Sequence, residues 1–154
     1  MILVTLGTQK QQFTRLLDYI EKSKIKDDII VQAGHTKYES KKMKIFDFIN
    51  YDEMSEYVNK SDLIITHGGT GSITGPLKKG KIVIACARKQ EYEEHVDNHQ
   101  EQIVDVFSED GYILKLDENI RLDELVKKSK TFKVKKFKSN TNNFIEKLEK
   151  EINK

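Results

Sequence analysis

At residues 63–72 the chain reads Leu63-Ile64-Ile65-Thr66-His67-Gly68-Gly69-Thr70-Gly71-Ser72. The continuous apolar run at its start predicts a buried β-strand, and the glycines that follow predict a tight turn. A short helix is expected to run from this turn toward Lys79, with Gly80 as its C-terminal cap. The segment therefore predicts a strand, turn and helix in succession, which is the unit from which parallel α/β sheets are built.

The same alternation recurs on both sides of this segment. Further strands are predicted at residues 2–6, 28–33, 44–49, 82–86 and 112–114, because each range is a short apolar or alternating run. Helical spacing of apolar residues falls between them, and Phe144, Ile145, Leu148 and Ile152 stripe a last amphipathic helix over 139–154. We predict one α/β domain over residues 1–154, with a Rossmann-like parallel sheet and helices on both faces.

Length and composition limit the classes of protein to which the chain can belong. The chain has 154 residues with 34% charged residues, which suits one compact domain and is too short for a two-domain enzyme. Its apolar runs are far shorter than the roughly 20 residues that cross a bilayer, so a cytoplasmic location is expected. Cys86 is the single cysteine, so no disulfide can form within the chain.

Charge is distributed unevenly although the net charge is only +2. Seven lysines and no acidic residues lie within residues 127–138. A solvated lysine-rich surface is the preferred interpretation, and proximity to an anionic membrane is the second. No RNA-binding signature accompanies the lysines, so a nucleic-acid partner is not predicted.

In parallel α/β sheets, ligands bind outside the carboxyl ends of the strands, which directs attention to the loops there. The loop at 67–72 opens a helix, where backbone N–H groups and the helix dipole favour a phosphate, and Thr70 and Ser72 can add hydroxyl donors. The alternative is a turn that needs glycines only for positive φ. Gly7-Thr8-Gln9 is a second such turn, for which both interpretations stand equally.

Two familiar nucleotide motifs fail in this region. Gly69, Gly71 and Gly75 have the spacing G-x-G-x-x-x-G, which is one residue too long for the dinucleotide fingerprint, so NAD is not predicted. Residues 75–81 imitate a P-loop, but Ile82 stands where a serine or threonine would hold magnesium. ATPase activity is therefore not predicted.

The loop after the fifth predicted strand is rich in polar side chains. Arg88, His95, Asn98, His99 and Gln100 lie within it, together with Glu94. His95 and His99 stand four residues apart, as metal ligands on a helix do, but no third ligand is evident. We therefore rank a metal site below recognition of a ligand with many hydroxyls, for which Asn, Gln and His offer donors and acceptors and Glu94 could take a hydroxyl pair.

Three segments together resemble the C-terminal, donor-binding domain of family 28 glycosyltransferases of the GT-B fold. They are residues 4–9, 66–72 and 98–100, and they span about two-thirds of the chain. The resemblance is strongest to small bacterial capsule and exopolysaccharide glycosyltransferases, which carry a stretch like Arg88 and residues 94–100. It extends to the catalytic subunit of the eukaryotic UDP-N-acetylglucosamine transferase that acts on dolichol-linked intermediates.

The resemblance implies a UDP-sugar site. It places Thr8 and Gln9 near the diphosphate, the backbone of Phe48 and Ile49 at the uracil, residues 69–72 at a phosphate, and His99 and Gln100 at the sugar hydroxyls. Arg88 and residues 94–98 are expected to line the pocket, with Arg88 neutralising phosphate or an acidic sugar. The candidate donor-binding residues are Gly7, Thr8, Gln9, Phe48, Ile49, His67, Gly68, Gly69, Thr70, Gly71, Ser72, Arg88, Glu94, His95, Asn98, His99 and Gln100.

One position departs from the family pattern. Many relatives carry a glutamate that holds the ribose three positions after the helix-opening serine, and here that position is Gly75. Either another residue such as Glu94 takes the ribose, or nucleotide affinity is low.

The resemblance also implies that this chain is half of an enzyme, because complete GT-B enzymes place the acceptor and the usual base in another domain. The leading hypothesis is an inverting hexosyltransferase subunit, without metal or cofactor, that needs a membrane-associated partner presenting a lipid-linked (polyprenyl-diphosphate) saccharide. The base is expected in the partner, with His67 and His95 as the candidates here. A non-catalytic UDP-sugar-binding or regulatory subunit is the alternative, and the hexose and acceptor are left open.

Overall fold

A computed structural model describes residues 1–133 of the chain. The amphipathic helix predicted over 139–154, with its apolar stripe at Phe144, Ile145, Leu148 and Ile152, lies outside the described residues. Among residues 1–133, no helix combines the length and the apolar character that crossing a membrane requires.

The described residues alternate strands and helices as the sequence predicts. The strands are β1 (Ile2–Thr5), β2 (Ile29–Gln32), β3 (Lys44–Phe46), β4 (Leu63–His67), β5 (Ile82–Cys86) and β6 (Leu114–Lys115). The helices are α1 (Thr14–Lys22), α2 (Tyr51–Lys60), α3 (Thr70–Lys78), α4 (His99–Glu109) and α5 (Leu122–Ser129), and one 3₁₀ turn covers Gln90–Tyr92.

The six strands form one parallel sheet in the order β3-β2-β1-β4-β5-β6. This order reverses direction between β1 and β4, and such a reversal is where open α/β sheets form a ligand crevice. The two central strands are in register, with Thr5 opposite Thr66, and the two hydroxyls hydrogen-bond at 2.6 Å. The predicted fold class is confirmed.

Helices cover both faces of the sheet. On one face α1 and α5 pack through Leu16, Leu17 and Leu125 against alternate residues of the strands. On the other face α2, α3 and α4 pack through side chains such as Ile73 and Phe107. The strands are consequently buried on both sides, which explains their continuous apolar runs.

One strand boundary differs from the prediction in a way that matters for the site. β3 ends at Phe46 rather than at residue 49, and the backbone N–H of Gly34 pairs with the carbonyl of Asp47 as the two strands separate. Phe48 and Ile49 therefore lie in a loop, and the Phe48 side chain is 58% exposed. Asn50 then starts α2, because its side-chain oxygen accepts a hydrogen bond from the N–H of Glu53 at 2.9 Å.

Candidate functional site

A cleft of about 430 Å³ opens at the carboxyl side of the sheet, over β1 and β4 and between α2 and α3. Six of the residues predicted for the site line it: Gly7, Thr8, Phe48, Ile49, Gly71 and Ser72. Leu3, Ile64 and Pro76 are among its apolar walls. The cleft thus brings together the loops after β1, β3 and β4, which are far apart in the sequence.

Several residues of the cleft were not among the predicted site residues. They include Thr5, Gln32, Tyr51, Ser55 and Lys79. Tyr51 is 87% exposed beside the opening, and the Lys79 ammonium donates to the Ser55 hydroxyl at 2.8 Å. Thr5 and Gln32 end strands, so their place at the carboxyl edge was the available signal. The others became visible only through the packing of α2 and α3.

The N-terminus of α3 presents a glycine surface to the cleft. Gly71 and Gly75 both line it, and a Cβ added to either would meet nothing within 4 Å. The first turn of a helix also has backbone N–H groups without helical partners, which suits an anion. At Gly75, the position that departs from the expected family pattern, this chain therefore has open space.

Gly68 and Gly69 have a packing role that neither interpretation of this loop included. Neither has a positive φ, so a turn that requires glycine for its conformation is not what is observed. Both positions require glycine because the side chains of neighbouring residues pack directly against them. A Cβ at Gly68 would lie 2.8 Å from the Cβ of Gln100, and one at Gly69 would lie 2.5 Å from the Cε1 of His67.

Gly7 combines both requirements for glycine. Its φ is +79°, and an added Cβ would lie 2.6 Å from the imidazole of His67. The side chain of Gln32 anchors the turn, because its Oε1 accepts from the N–H of Gly7 at 3.2 Å and its Nε2 donates to the Gly7 carbonyl at 3.1 Å. The loop after β1 is therefore fixed in place and packed closely over the end of β4.

His67 is buried at the end of β4 and is hydrogen-bonded through both ring nitrogens. Its Nε2 lies 3.0 Å from the Ser72 hydroxyl, and its Nδ1 lies 3.1 Å from the Gln100 amide nitrogen. Burial lowers the pKa of His67 to about 4, and the nearby Arg88 guanidinium adds to this effect. His67 is therefore neutral near pH 7, as a base must be, but the enclosed ring lies outside the cleft lining.

Gln100 was predicted to contact sugar hydroxyls, but its amide is occupied inside the fold. It is 4% exposed, and its Oε1 accepts from the N–H groups of Gly68 at 3.0 Å and Arg88 at 3.1 Å. These are backbone donors at the ends of two neighbouring strands, which would otherwise be buried without partners. In this structure Gln100 joins β4 to β5.

Arg88 does not line the cleft, contrary to the expectation. It is fully buried and its guanidinium donates to the carbonyls of Leu6 at 2.7 Å, Gln11 at 2.7 Å and Glu94 at 3.0 Å. It also lies 4.9 Å from the ring of Phe13. Burial lowers its pKa to about 10, which leaves it charged at pH 7. Arg88 ties the loop after β1 to the loop after β5 rather than meeting a phosphate.

Glu94 is likewise wrong as a ligand for ribose or sugar hydroxyls. It is 3% exposed and forms a two-pronged ion pair with Arg15, at 3.0 Å to Nε and 2.9 Å to Nη2. It also accepts from the backbone N–H of Lys89 at 3.0 Å. Arg15 thus ties the loop after β5 to α1. This residue was not among those predicted from the sequence.

The rest of that loop lies outside the cleft lining as well. His95 pairs with Asp97, with 3.0 Å between Nδ1 and Oδ1, and the Asn98 side chain accepts from the N–H of Gln90 at 3.0 Å. His99 is half-buried at the start of α4. Within residues 1–133, no group of three His, Cys, Asp or Glu side chains is placed to hold a metal ion.

Comparison with known proteins extends these observations. The family model of the glycosyltransferase family 28 C-terminal domain matches residues 1–154. UDP-N-acetylglucosamine transferase subunit ALG13 of Saccharomyces cerevisiae is 40% identical over 73 residues, which is 47% of this chain and 34% of that protein. The protein of the same name from Debaryomyces hansenii is 30% identical over 79 residues, or 51% of this chain. The aligned region spans 34% of the length of each of these relatives.

Solved structures show the same likeness. An NMR solution structure of ALG13 is similar with a TM-score of 0.60 at 27% identity, covering 96% of this chain and 93% of that one. The crystal structure of the glycotransferase of kitacinnamycin has a TM-score of 0.54 at 14% identity, covering 99% of this chain and 38% of that one, and it shows the fold alone. Because the family model covers the whole chain, this protein belongs to the family of glycosyltransferase family 28 C-terminal domains.

Proposed function

We propose that this chain is the donor-binding subunit of a glycosyltransferase, and that it holds a UDP-sugar in the cleft between α2 and α3. The observation that carries the proposal is the cleft itself. It lies where the strand order reverses between β1 and β4, and the glycine-rich N-terminus of α3 borders it. Membership of the family supplies the reaction class. The likeness to ALG13 supports UDP-N-acetylglucosamine as the first donor to test.

The electrostatics of the cleft suit a diphosphate. Lys79 is a cationic member of the lining, and no Asp or Glu of the described residues lines the cleft. The N–H groups of the first turn of α3 and the Ser72 hydroxyl would meet phosphate oxygens. Thr8, which lines the cleft, and its neighbour Gln9 would add contacts to the diphosphate. Phe48, Ile49 and the exposed ring of Tyr51 would enclose the uracil.

The transfer step itself needs groups from elsewhere. An acceptor hydroxyl would attack the anomeric carbon, the bond from that carbon to the β-phosphate oxygen would break, and UDP would leave with inversion. The helix N-terminus would stabilise the charge that develops on UDP. A partner polypeptide would present the acceptor, a lipid-linked saccharide at a membrane, and would take its proton. The capsule or exopolysaccharide context has no support in the relatives named above.

A second candidate function is a non-catalytic UDP-sugar-binding or regulatory subunit of a complete transferase. It is favoured by one observation: neither a histidine nor a carboxylate of the described residues lines the cleft. Transfer by the full chain, alone and with the polypeptide encoded beside it, separates the two. Activity that requires both supports the donor-binding subunit, whereas unchanged activity of a partner that is competent alone supports the regulatory role.

Binding to the cleft is tested by titrating the full chain with UDP in a calorimeter. The Ser72→Asp variant places a negative charge on the cleft wall and is expected to abolish UDP binding. Asn119→Asp is the matched control, because it adds the same charge at an exposed loop outside the cleft. Equal affinity in Ser72→Asp and the wild type, with the fold intact, would refute the proposed site.

The choice of sugar is tested with a panel of UDP-hexoses in the same experiment. Galactose, N-acetylglucosamine and glucuronic acid differ by single groups, which a few side chains discriminate. We expect UDP-N-acetylglucosamine to bind more tightly than UDP, since sugar contacts would add to those of the nucleotide. Equal affinity for all UDP-hexoses and UDP would contradict a sugar site on this chain.

A further inference from the structure

We propose that His67 and Gln100 are positioning residues that hold the Ser72 hydroxyl as a hydrogen-bond donor aimed into the cleft. The part of this inference that names a phosphate oxygen as the acceptor rests on the proposed function. The orientation of the hydroxyl does not, because it follows from the hydrogen bonds among Gln100, His67 and Ser72. Neither His67 nor Gln100 lines the cleft, so both act through Ser72.

The two ends of the Gln100 amide are distinguished by their neighbours. One end faces the N–H of Gly68 at 3.0 Å and the N–H of Arg88 at 3.1 Å. Backbone N–H groups are donors only, so this end of the amide is the oxygen. The other end is then the NH₂ group, and it points at Nδ1 of His67 at 3.1 Å.

The amide in turn selects the form of the imidazole. Since Gln100 donates to Nδ1, this nitrogen carries a lone pair and no hydrogen. In a neutral imidazole the hydrogen then sits on Nε2. The low pKa that burial gives His67 agrees with the neutral form. Nε2–H consequently donates to the Ser72 oxygen, 3.0 Å away.

A hydroxyl that accepts from Nε2–H turns its own hydrogen elsewhere. Ser72 is the third residue of α3 and lines the cleft, and among residues 1–133 no other hydrogen bond of its hydroxyl is seen. The opposite imidazole form would reverse the bond, because Nε2 would accept and the hydroxyl hydrogen would point at the ring. The tautomer of His67 therefore decides whether the cleft faces a donor.

Packing fixes the imidazole in the position that this chain of hydrogen bonds needs. Gly7 and Gly69 approach the ring so closely that a Cβ on either would lie within 2.6 Å of it. Gly68 packs in the same way on Gln100. Since the ring and the amide cannot rotate freely, the hydroxyl is oriented before any ligand arrives. A preoriented donor costs less reorganisation on binding, which is how such groups favour an anion.

The decisive experiment uses the unaltered full chain. Histidine labelled with ¹⁵N gives ring signals from four residues, and those of His67 are identified by their absence in His67→Gln. At pH 7 we expect the ¹⁵N chemical shift of Nδ1 to be that of a nitrogen without a hydrogen and the shift of Nε2 to be that of a nitrogen with one. The correlations between ring nitrogens and ring hydrogens should have the pattern of the Nε2–H tautomer. A ring protonated at Nδ1, or at both nitrogens, would overturn the inference whether or not UDP binds.

A titration with UDP measures what the orientation contributes. In His67→Asn the shorter amide keeps the Gln100 contact but cannot reach Ser72, so we expect UDP affinity to fall about three- to ten-fold, as for one neutral hydrogen bond. In His67→Gln the longer amide can donate to Ser72, and affinity is expected to stay within about two-fold of the wild type. Circular dichroism confirms that each variant is folded.

A coupling test separates positioning from a general structural effect. In a Ser72→Ala background, His67→Asn is expected to cause no further loss of UDP affinity, since the group it orients is gone. Equal losses in both backgrounds would contradict positioning through Ser72. If the wild-type chain binds no UDP, the proposed function fails, and the tautomer measurement alone then decides the inference.

Discussion

Two polar regions lie at the carboxyl edge of the same sheet, and they use their side chains in opposite ways. The loop of residues 88–98 between β5 and α4 carries many charged residues, but Arg88 and Glu94 are buried there and pair within the protein. The cleft between α2 and α3 is open and is lined mostly by small, apolar or hydroxyl-bearing residues.

The difference shows that the number of polar groups in a loop does not locate a binding surface. A charged side chain is available to a ligand only if the chain's own backbone does not need it. Arg88 satisfies three carbonyls that would otherwise lack donors, so its charge has a structural use. Gly71 and Ser72 contribute less polar surface, yet they face the open cleft. The following variants test this contrast.

The largest effect is expected for Arg88→Met. It removes the donors of three carbonyls and the contact with Phe13, so we expect the free energy of unfolding to fall by about 4 kcal/mol. Urea denaturation followed by circular dichroism measures the loss. The matched control is Arg121→Met, which should cost little because the Arg121 side chain is 72% exposed. Similar stabilities for the two variants would mean that Arg88 is not the buried tie described above.

Glu94→Gln tests the second buried charge of the same loop. The variant removes the two-pronged carboxylate partner of Arg15, whose side chain is 15% exposed, and leaves only the more distant carboxylate of Glu118 at 3.8 Å. Breaking a buried pair in this way is expected to cost about 3 kcal/mol in the free energy of unfolding. The exposed neighbour provides the control, since Glu93→Gln should change stability by less than about 0.5 kcal/mol. A Glu94→Gln variant as stable as its control would contradict the assignment.

His67 links the two regions and makes stability depend on pH. Its pKa of about 4 in the fold lies below the ordinary value of 6.5, so the unfolded chain binds more protons between these values. The free energy of unfolding therefore falls as the pH drops, by about 2 kcal/mol from pH 7 to pH 5 for this group.

The measurement compares urea denaturation at these two pH values in the wild type and in His67→Gln. The variant should lose most of this pH dependence. His35→Gln, which removes an exposed histidine, should keep it. An unchanged pH dependence in His67→Gln would show that His67 is protonated equally in the folded and unfolded chain.

The smallest effect is expected for a variant in the cleft wall, and it is an increase in the free energy of unfolding rather than a decrease. Gly75→Ala replaces a glycine inside α3 where an added Cβ meets nothing, so it should stabilise the fold by about 0.5–1 kcal/mol. Gly80→Ala is the contrasting control, because φ there is +74° and alanine is strained. Thermal denaturation distinguishes the two. Loss of stability in Gly75→Ala would mean that this wall of the cleft is not open.

The sheet could be predicted from the sequence because its signal is local. Apolar runs such as residues 63–66 and 82–86 fit only buried strands once glycines and helical patterns separate them, and all six predicted strands are present. Gly7, Phe48 and Ser72 of the predicted loops line one cleft, since the carboxyl ends of parallel strands meet at one edge.

The use of each polar side chain could not be predicted in the same way. Whether Gln100 faces a ligand or the backbone depends on the distance from α4 to the ends of β4 and β5, which no local pattern contains. The same holds for Glu94, because its partner Arg15 lies 79 residues away in the sequence. Gly68 and Gly69 were interpreted as part of a phosphate-binding loop or of a tight turn with positive φ, and the packing of His67 and Gln100 against them was not foreseen.

The order of the strands has a consequence for how this protein can change. The helices that follow β1 and β4 leave on opposite faces of the sheet, α1 on one and α3 on the other, so a hollow forms between the two strand ends whatever side chains border it. Its existence is a matter of connectivity, whereas its selectivity is a matter of a few rim residues. Substitutions of the rim residues can therefore change which ligand is preferred while the sheet and its helices stay intact.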